Sequence, residues 1–326
     1  MIKQLQSEVS PLQEILHHPG ASQGVRLFVK RDDLLHAVIQ GNKWRKLQPV
    51  IKRVLAMRYK GIITFGGAFS NHIEAVSAAG RIFDIPTFGV IRGEHADLDN
   101  PTLSVARANG MMLFPVPKKE YDFEKERIAQ ELLLEFPKYC VLPEGGATPE
   151  AVDKCANITW ELSAQLRALD IRDGDCPLRF AVPMGTGATA AGMVAGLPGM
   201  QASALIFPAD RRFVNDAVFR SRILAARPEL RDWLDKQPCA YQYVVDYDYG
   251  GFARRHPALI PFHERFVADT GIRLDPVYTL KMFMGLYDML AAGAFEPGSV
   301  VVGVHTGGLQ GWAGFEQAPG RNAATF

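Results

Sequence analysis

Short apolar runs alternate with longer amphipathic ones along most of this chain, and Gly, Pro or Asn marks most of the joins. That is the pattern of repeated β-α units, and a mostly parallel sheet of the α/β class is the expected product. Candidate strands are Gly61 to Phe65, Thr87 to Ile91, Met112 to Val116, Arg179 to Pro183, Ser203 to Phe207, Tyr241 to Val245 and Ser299 to Val304. Candidate helices are Asn71 to Phe83, Pro101 to Ala108, Glu120 to Glu135, Pro149 to Ala168, Ala188 to Leu197, Arg212 to Ala225, Pro257 to Asp269 and Tyr278 to Ala291.

With 326 residues, 48% of them hydrophobic and 22% charged, the chain can bury two lobes of ordinary domain size. No repeat or long linker divides it; the polar break Asp170 to Pro177 makes a boundary near residue 165 plausible. Charges nearly cancel, at a formal +1, and the basic residues are scattered among acids, so nucleic acid is not an expected partner. Met1 to Ser10 lacks the apolar core of a secretory signal, and no stretch approaches the roughly 20 apolar residues of a membrane span. The cytoplasm is the expected address. Cys140, Cys155, Cys176 and Cys239 lie far apart with no Cys-x-x-Cys pair, which suggests reduced packing residues and no metal site.

Four segments carry chemistry. In the first, Lys30 to Leu47, Lys43 follows a Gly-Asn step at the head of an amphipathic run. A cation at a helix start opposes the macrodipole, which favours the neutral, nucleophilic amine that a Schiff base needs. Taken alone, the same segment also reads as a solvated basic turn with Arg45 and Lys46. In the second, Thr64 to Glu74, an apolar run enters small residues and then Ser70-Asn71-His72 at a helix start. Such a turn can grip a carboxylate or a phenolic oxygen, or can merely cap the helix.

The third, Pro183 to Gly196, is a strand, a Gly and Thr loop and a helix of small residues, whose backbone N–H groups can form a nest for phosphate. It could also be half of a dinucleotide fingerprint, with Asp210 as the only obvious ribose-binding acid, or merely a tight turn; no lysine follows the loop, which disfavours a P-loop. In the fourth, Asp275-Pro-Val-Tyr-Thr-Leu-Lys-Met places Tyr278 and Thr279 at an expected strand-to-helix corner, and His305-Thr306-Gly-Gly follows the apolar run Val300 to Val304. Both would set hydroxyls at carboxyl ends of strands, where open α/β sheets bind ligands.

In this order the segments resemble the fold-type II, tryptophan synthase β-like enzymes that use pyridoxal 5'-phosphate (PLP). Within them the chain resembles the family of 1-aminocyclopropane-1-carboxylate (ACC) deaminase and D-cysteine desulfhydrase. The resemblance covers Lys30 to Gly314 and rests on Lys30-Arg-Asp-Asp, Gly41-Asn-Lys43, Arg45-Lys46-Leu47, Ser70-Asn71-His72, Gly185 to Thr189, Asp275-Pro-Val-Tyr278 and His305-Thr-Gly-Gly308. It implies Lys43 as the Schiff-base lysine, Asn71 facing the cofactor's phenolic oxygen, and Ser70 with His72 near the substrate carboxylate. Gly185, Thr186, Gly187, Ala188 and Thr189 would hold the phosphate, Tyr278 would lie over the substrate, and Thr279 or Thr306 near the pyridine nitrogen. A hydroxyl there leaves the ring less firmly protonated, which suits elimination.

The same resemblance implies two-lobed, three-layer α/β/α architecture: a large PLP lobe from 1–47 and 164–326, and a small inserted lobe from 48–163. Lys43, the phosphate loop and Tyr278 would border the large lobe and Ser70 and Asn71 the small one, so that closure assembles the site. A homodimer is expected. Departures from the family are instructive: ACC deaminases usually carry Glu where this chain has Thr279, Ala188 replaces a frequent Gly, Leu280 stands where Gly is usual, and Asp246 to Ala253 has the form of neither branch. Tyr247 or Tyr249 could supply a second phenol. The expected reaction is elimination from a small amino acid of the D-cysteine type, giving pyruvate, ammonia and sulfide. ACC deamination to 2-oxobutanoate and ammonia is the alternative, and a PLP-holding protein with little catalysis the alternative of another class.

Overall fold

The computed structural model describes residues 9–317. Among them the strands are β1 (Leu12–Ile15), β2 (Arg26–Lys30), β3 (Gly61–Gly67), β4 (Thr87–Arg92), β5 (Met112–Val116), β6 (Tyr139–Leu142), β7 (Leu178–Met184), β8 (Ala202–Pro208), β9 (Tyr241–Tyr243) and β10 (Val300–Val304). The helices are α1 (Asn42–Ala56), α2 (Asn71–Phe83), α3 (Pro101–Ala108), α4 (Lys118–Phe123), α5 (Lys125–Glu135), α6 (Pro149–Ala168), α7 (Ala188–Ala195), α8 (Asp216–Ala226), α9 (Arg231–Lys236), α10 (Leu259–Thr270), α11 (Thr279–Ala291) and α12 (Gly311–Gln317).

Two sheets result, one ordered β1-β2-β10-β7-β8-β9 and the other β5-β4-β3-β6. Every pairing is parallel except β1 with β2. A parallel sheet needs helices on both faces, which is why β10 is apolar and buried along its whole length. In the first sheet Phe28, Phe180 and Val302 pack against α6 and α7, while Leu27, Leu205 and Val301 face Phe266 and Phe283 of α10 and α11. In the second, Ile62 and Ile91 meet Leu47, Ile51 and Val76 of α1 and α2, and Ile63 and Val90 meet Tyr121, Ile128 and Leu132 of α4 and α5. Each sheet is thus the middle of three α/β/α layers, and each such buried side chain contributes about 1.5–3 kcal/mol.

Where local signals are strong, the expected boundaries are met. Helix α6 begins at Pro149 because Thr148 accepts the Ala151 N–H, and α3 begins at Pro101 because Asn100 accepts those of Thr102 and Leu103. The expected helix Glu120 to Glu135 is instead two helices: the backbone leaves helical geometry at Glu124 (φ −130°), which joins α4 to α5. Strands β1, β2 and β6 were not evident as apolar runs, because β1 and β2 carry Gln13, Glu14, Arg26 and Lys30, and β6 is four residues long. Segment 272–278 is not a strand, so Tyr278 follows a loop and not a strand-to-helix corner.

Helix α1 belongs to both halves. Its apolar face packs in the second sheet's core, while the fully buried Arg45 reaches back to the first. The Arg45 guanidinium donates to both oxygens of Asp32 (2.7 and 2.8 Å) and of Glu161 on α6 (2.7 and 2.8 Å). Lys30 pairs with the same Glu161, so two cations and two carboxylates compensate one another out of water. No helix among the described residues is long and apolar enough to cross a membrane.

Candidate functional site

Strand carboxyl ends bring the singled-out segments together. Helix α1 starts one residue after Gly41, whose φ of 60° and position leave no space for a side chain: a Cβ there would lie 2.0 Å from the Thr306 carbonyl oxygen. The Asn42 N–H donates to that same oxygen (3.2 Å), stitching the start of α1 to the turn after β10. Asn42 Nδ2 donates to Thr189 Oγ1 (2.9 Å), and Lys43 Nζ donates to Asn42 Oδ1 (3.0 Å). One amide therefore ties the lysine to the Gly and Thr loop after β7.

Lys43 is not a solvated surface lysine. Burial pulls its pKa down from 10.5 to about 7, the nearby Lys46 ammonium adds to the shift, and Asp275 opposes it. The amine is near neutrality as the helix-start argument required, but burial is the larger cause. Lys46, missed as a site residue, is itself buried, donates to the Gly145 carbonyl (3.1 Å) and is lowered by burial. Neither ammonium has a carboxylate partner among the described residues.

Ser70 is the cap of α2, accepting from His72 N (3.2 Å) and Ile73 N (3.3 Å), and keeps its own proton to donate. Asn71 lies against the turn after β10, where a Cβ on Gly308 would sit 2.6 Å from its Nδ2. His72 turns inward. Thr64 Oγ1 donates to the Leu142 carbonyl (3.0 Å) and so accepts from His72 Nε2 (2.9 Å), which leaves Nδ1 as a bare buried acceptor without a partner. Burial, then the charges of Lys43 and Lys46, hold this imidazole well below its ordinary pKa, hence neutral.

The loop Gly185 to Thr189 ends in a left-handed Gly187 (φ 87°) that opens α7, so the first N–H groups of that helix have no partner within it. Thr186 packs on Gly145, where a Cβ would meet its Oγ1 at 2.8 Å; Ala188 and Thr189 are buried. Gly185 lies under the ring of Tyr278, with a Cβ position 3.1 Å from the phenol oxygen. Burial, reinforced by Asp275 and Glu144, pushes the Tyr278 phenol up, so it stays protonated. The Glu144-Gly-Gly turn after β6 is thus a further wall of the site, signalled in the sequence only by a Gly pair after an apolar run.

Thr279 and Thr306 part company. Thr279 is fully buried and its hydroxyl is spent on Asp275, donating to Oδ2 (2.9 Å) and accepting from the backbone N–H (2.8 Å). The Thr306 hydroxyl has no hydrogen bond with any described residue. Tyr247 and Tyr249 do not join the site: Tyr247 packs on Gly285 of α11 and on Phe207, and Tyr249 stacks beside it. Phe252 from the same segment meets Tyr278 edge-on at 5.8 Å instead. Asp210, the ribose-binding candidate, is occupied by Arg212 and by the Phe252 N–H, which argues against a dinucleotide.

A near-neutral, half-buried lysine, a buried ammonium without a counter-charge and a helix N-terminus open to an anion define a class: enzymes that keep a phosphorylated aldehyde cofactor on a lysine. The chain belongs to the pyridoxal-phosphate dependent enzyme family, whose profile matches residues 8–307, and pyridoxal phosphate is its cofactor. More narrowly, it is similar to the ACC deaminase of Burkholderia multivorans, 27% identical over 92% of this chain and 91% of that one. It is also similar to the bifunctional mitochondrial D-cysteine desulfhydrase/ACC deaminase of Arabidopsis thaliana, 26% identical over 90% of this chain and 75% of that protein. A solved ACC deaminase homologue superposes with a TM-score of 0.76 at 25% identity, covering 94% of this chain and 92% of that one.

Proposed function

We propose that this chain is a lyase that eliminates a β-substituent, thiol foremost, from a small amino acid of the D-cysteine type. The observation that carries the reading is the Lys43 amine held near neutrality and hydrogen-bonded to Asn42, whose amide in turn holds Thr189. In this reading the N–H groups at the start of α7 and the Lys46 ammonium hold the phosphate. Asn71 takes the phenolic oxygen, and Thr306, with the free hydroxyl, takes the ring nitrogen in preference to Thr279. The Ser70 proton and the Asn71 N–H bind the substrate carboxylate. When bound, the cofactor supplies the electron sink for negative charge at the α-carbon. The Lys43 amine takes the α-proton, and the protonated Tyr278 phenol is the donor to the departing thiolate. Water then converts the released aminoacrylate to pyruvate and ammonia.

The relatives named ACC deaminase keep a second reading open, in which Tyr278 acts on a ring carbon because ACC has no α-proton. Thr279, in place of the Glu usual there, favours elimination. Offering D- and L-cysteine, β-chloroalanine, cysteate and ACC to the purified enzyme, with ammonia, pyruvate and 2-oxobutanoate measured, separates the two; no 2-oxo acid from any of them would leave a cofactor-holding protein. Lys43→Ala is expected to lose turnover and the bound cofactor's visible absorbance together, and a variant keeping both would defeat the assignment. The division into 1–47 with 164–326 and 48–163 goes with this reading, supported by the composition of the two sheets, although α6 packs on the first sheet and argues for ending the inserted unit nearer residue 148. A cytoplasmic homodimer completes it, tested by light scattering and fractionation.

A further inference from the structure

Asp275 is fully buried, yet no guanidinium or ammonium forms an ion pair with it among the described residues. Its carboxylate is saturated by donors instead. Oδ1 accepts from Val277 N and Tyr278 N (both 2.9 Å), and Oδ2 from Thr279 N (2.8 Å) and Thr279 Oγ1 (2.9 Å). Burial pushes the Asp275 pKa up, and the hydrogen bonds from Thr279 and Tyr278 oppose that push by favouring the anion. Three consecutive amides hang on this one side chain, and the middle one belongs to Tyr278.

The turn after β10 touches both Asp275 and the start of α1. A Cβ on Gly308 would be 3.5 Å from Asp275 Cβ and 2.6 Å from Asn71 Nδ2, and the Thr306 carbonyl of that turn accepts the N–H of Asn42, the residue before Lys43. We propose that Asp275 is a positioning residue that sets two things at once: the placement of the Tyr278 phenol, through the backbone it holds, and the charge at Lys43, as the carboxylate that faces it. The groups facing Lys43 are Lys46 on its own helix, His72 on α2, Cys155 on α6 and Asp275; those facing Asp275 are Thr279, His305 and Lys43. Only Asp275 among them is a carboxylate, and its charge favours the protonated nitrogen at Lys43 while burial and Lys46 disfavour it.

The proposal rests on the cofactor being carried by Lys43, and it is tested on the cofactor-loaded enzyme. Asp275→Asn keeps the shape and the oxygen facing Val277 and Tyr278 but removes the charge and the acceptor for Thr279. The pH midpoint of the bound cofactor's visible absorbance is expected to fall by about one pH unit, a tenfold loss of proton affinity, with kcat down about tenfold and KM changed far less. Tyr278→Phe should lower kcat and leave that midpoint in place, which separates charge from phenol. Should Asp275→Asn fail to fold, Thr279→Val decides: it removes one donor and keeps the carboxylate, so kcat falls while the midpoint holds, and Thr279→Ser restores kcat. A parental midpoint in Asp275→Asn, or a parental kcat in Thr279→Val, overturns the proposal. A parent protein that takes up no pyridoxal phosphate would defeat the functional reading instead.

Discussion

Replacing Lys46 by Met would remove a charge beside Lys43 while keeping most of the buried stem. At pH 7 a lysine of ordinary pKa, 10.5, has roughly one amine in 3,000 neutral, whereas one with a midpoint of about 7 has about half, roughly a 1,500-fold gain in nucleophile. Burial is the larger cause of that gain and the Lys46 charge the next, so Lys46→Met should move the midpoint back up. A move of about one pH unit would leave about one amine in ten neutral at pH 7, slowing attack on an aldehyde about fivefold. The assay is the rate at which apoenzyme takes up the aldehyde, followed by visible absorbance across a pH series. Pyridoxal, which has no phosphate for Lys46 to bind, reads the amine alone. In the parent the rate should rise tenfold per pH unit below about 7 and level off above it. A rate that climbs steadily to about pH 10 in the parent, or a midpoint unmoved in Lys46→Met, would refute the argument.

Gly41→Ala should cripple both stability and cofactor uptake, because the new Cβ would collide with the Thr306 carbonyl at 2.0 Å on a backbone already at positive φ; thermal melts and a pyridoxal phosphate titration check it. Asp32→Ala leaves the buried Arg45 guanidinium with Glu161 as its remaining carboxylate partner and should cost about 3–5 kcal/mol in a urea titration, a loss under about 1 kcal/mol counting against it.

The central strands were legible because a sheet covered on both faces must be mostly apolar: β10 is so throughout, and β7 and β8 are but for Arg179 and Ser203 near their starts. Helix starts were legible at Thr148-Pro149 and Asn100-Pro101, where the cap is a local matter. What escaped depends on contacts distant in sequence. Lys43 and Lys46 look alike in the chain, and only packing buries Lys46 and half-buries Lys43. Thr279 and Thr306 were equivalent hydroxyls until Asp275 claimed one of them. Phe252 and not Tyr247 reaches Tyr278, because Gly285 of α11 gives Tyr247 a different place to rest.

Arg45 clamps the first turn of α1 to Asp32 and to Glu161 of α6, while the same helix packs its apolar face in the second sheet's core, so Lys43 stands where the two halves meet. Ser70 and Asn71 ride on that second sheet at the end of β3. A displacement of Ser70 and Asn71 relative to the first sheet would therefore be felt at the lysine as well, since Trp44 and Leu47 beside it pack in the second sheet's core.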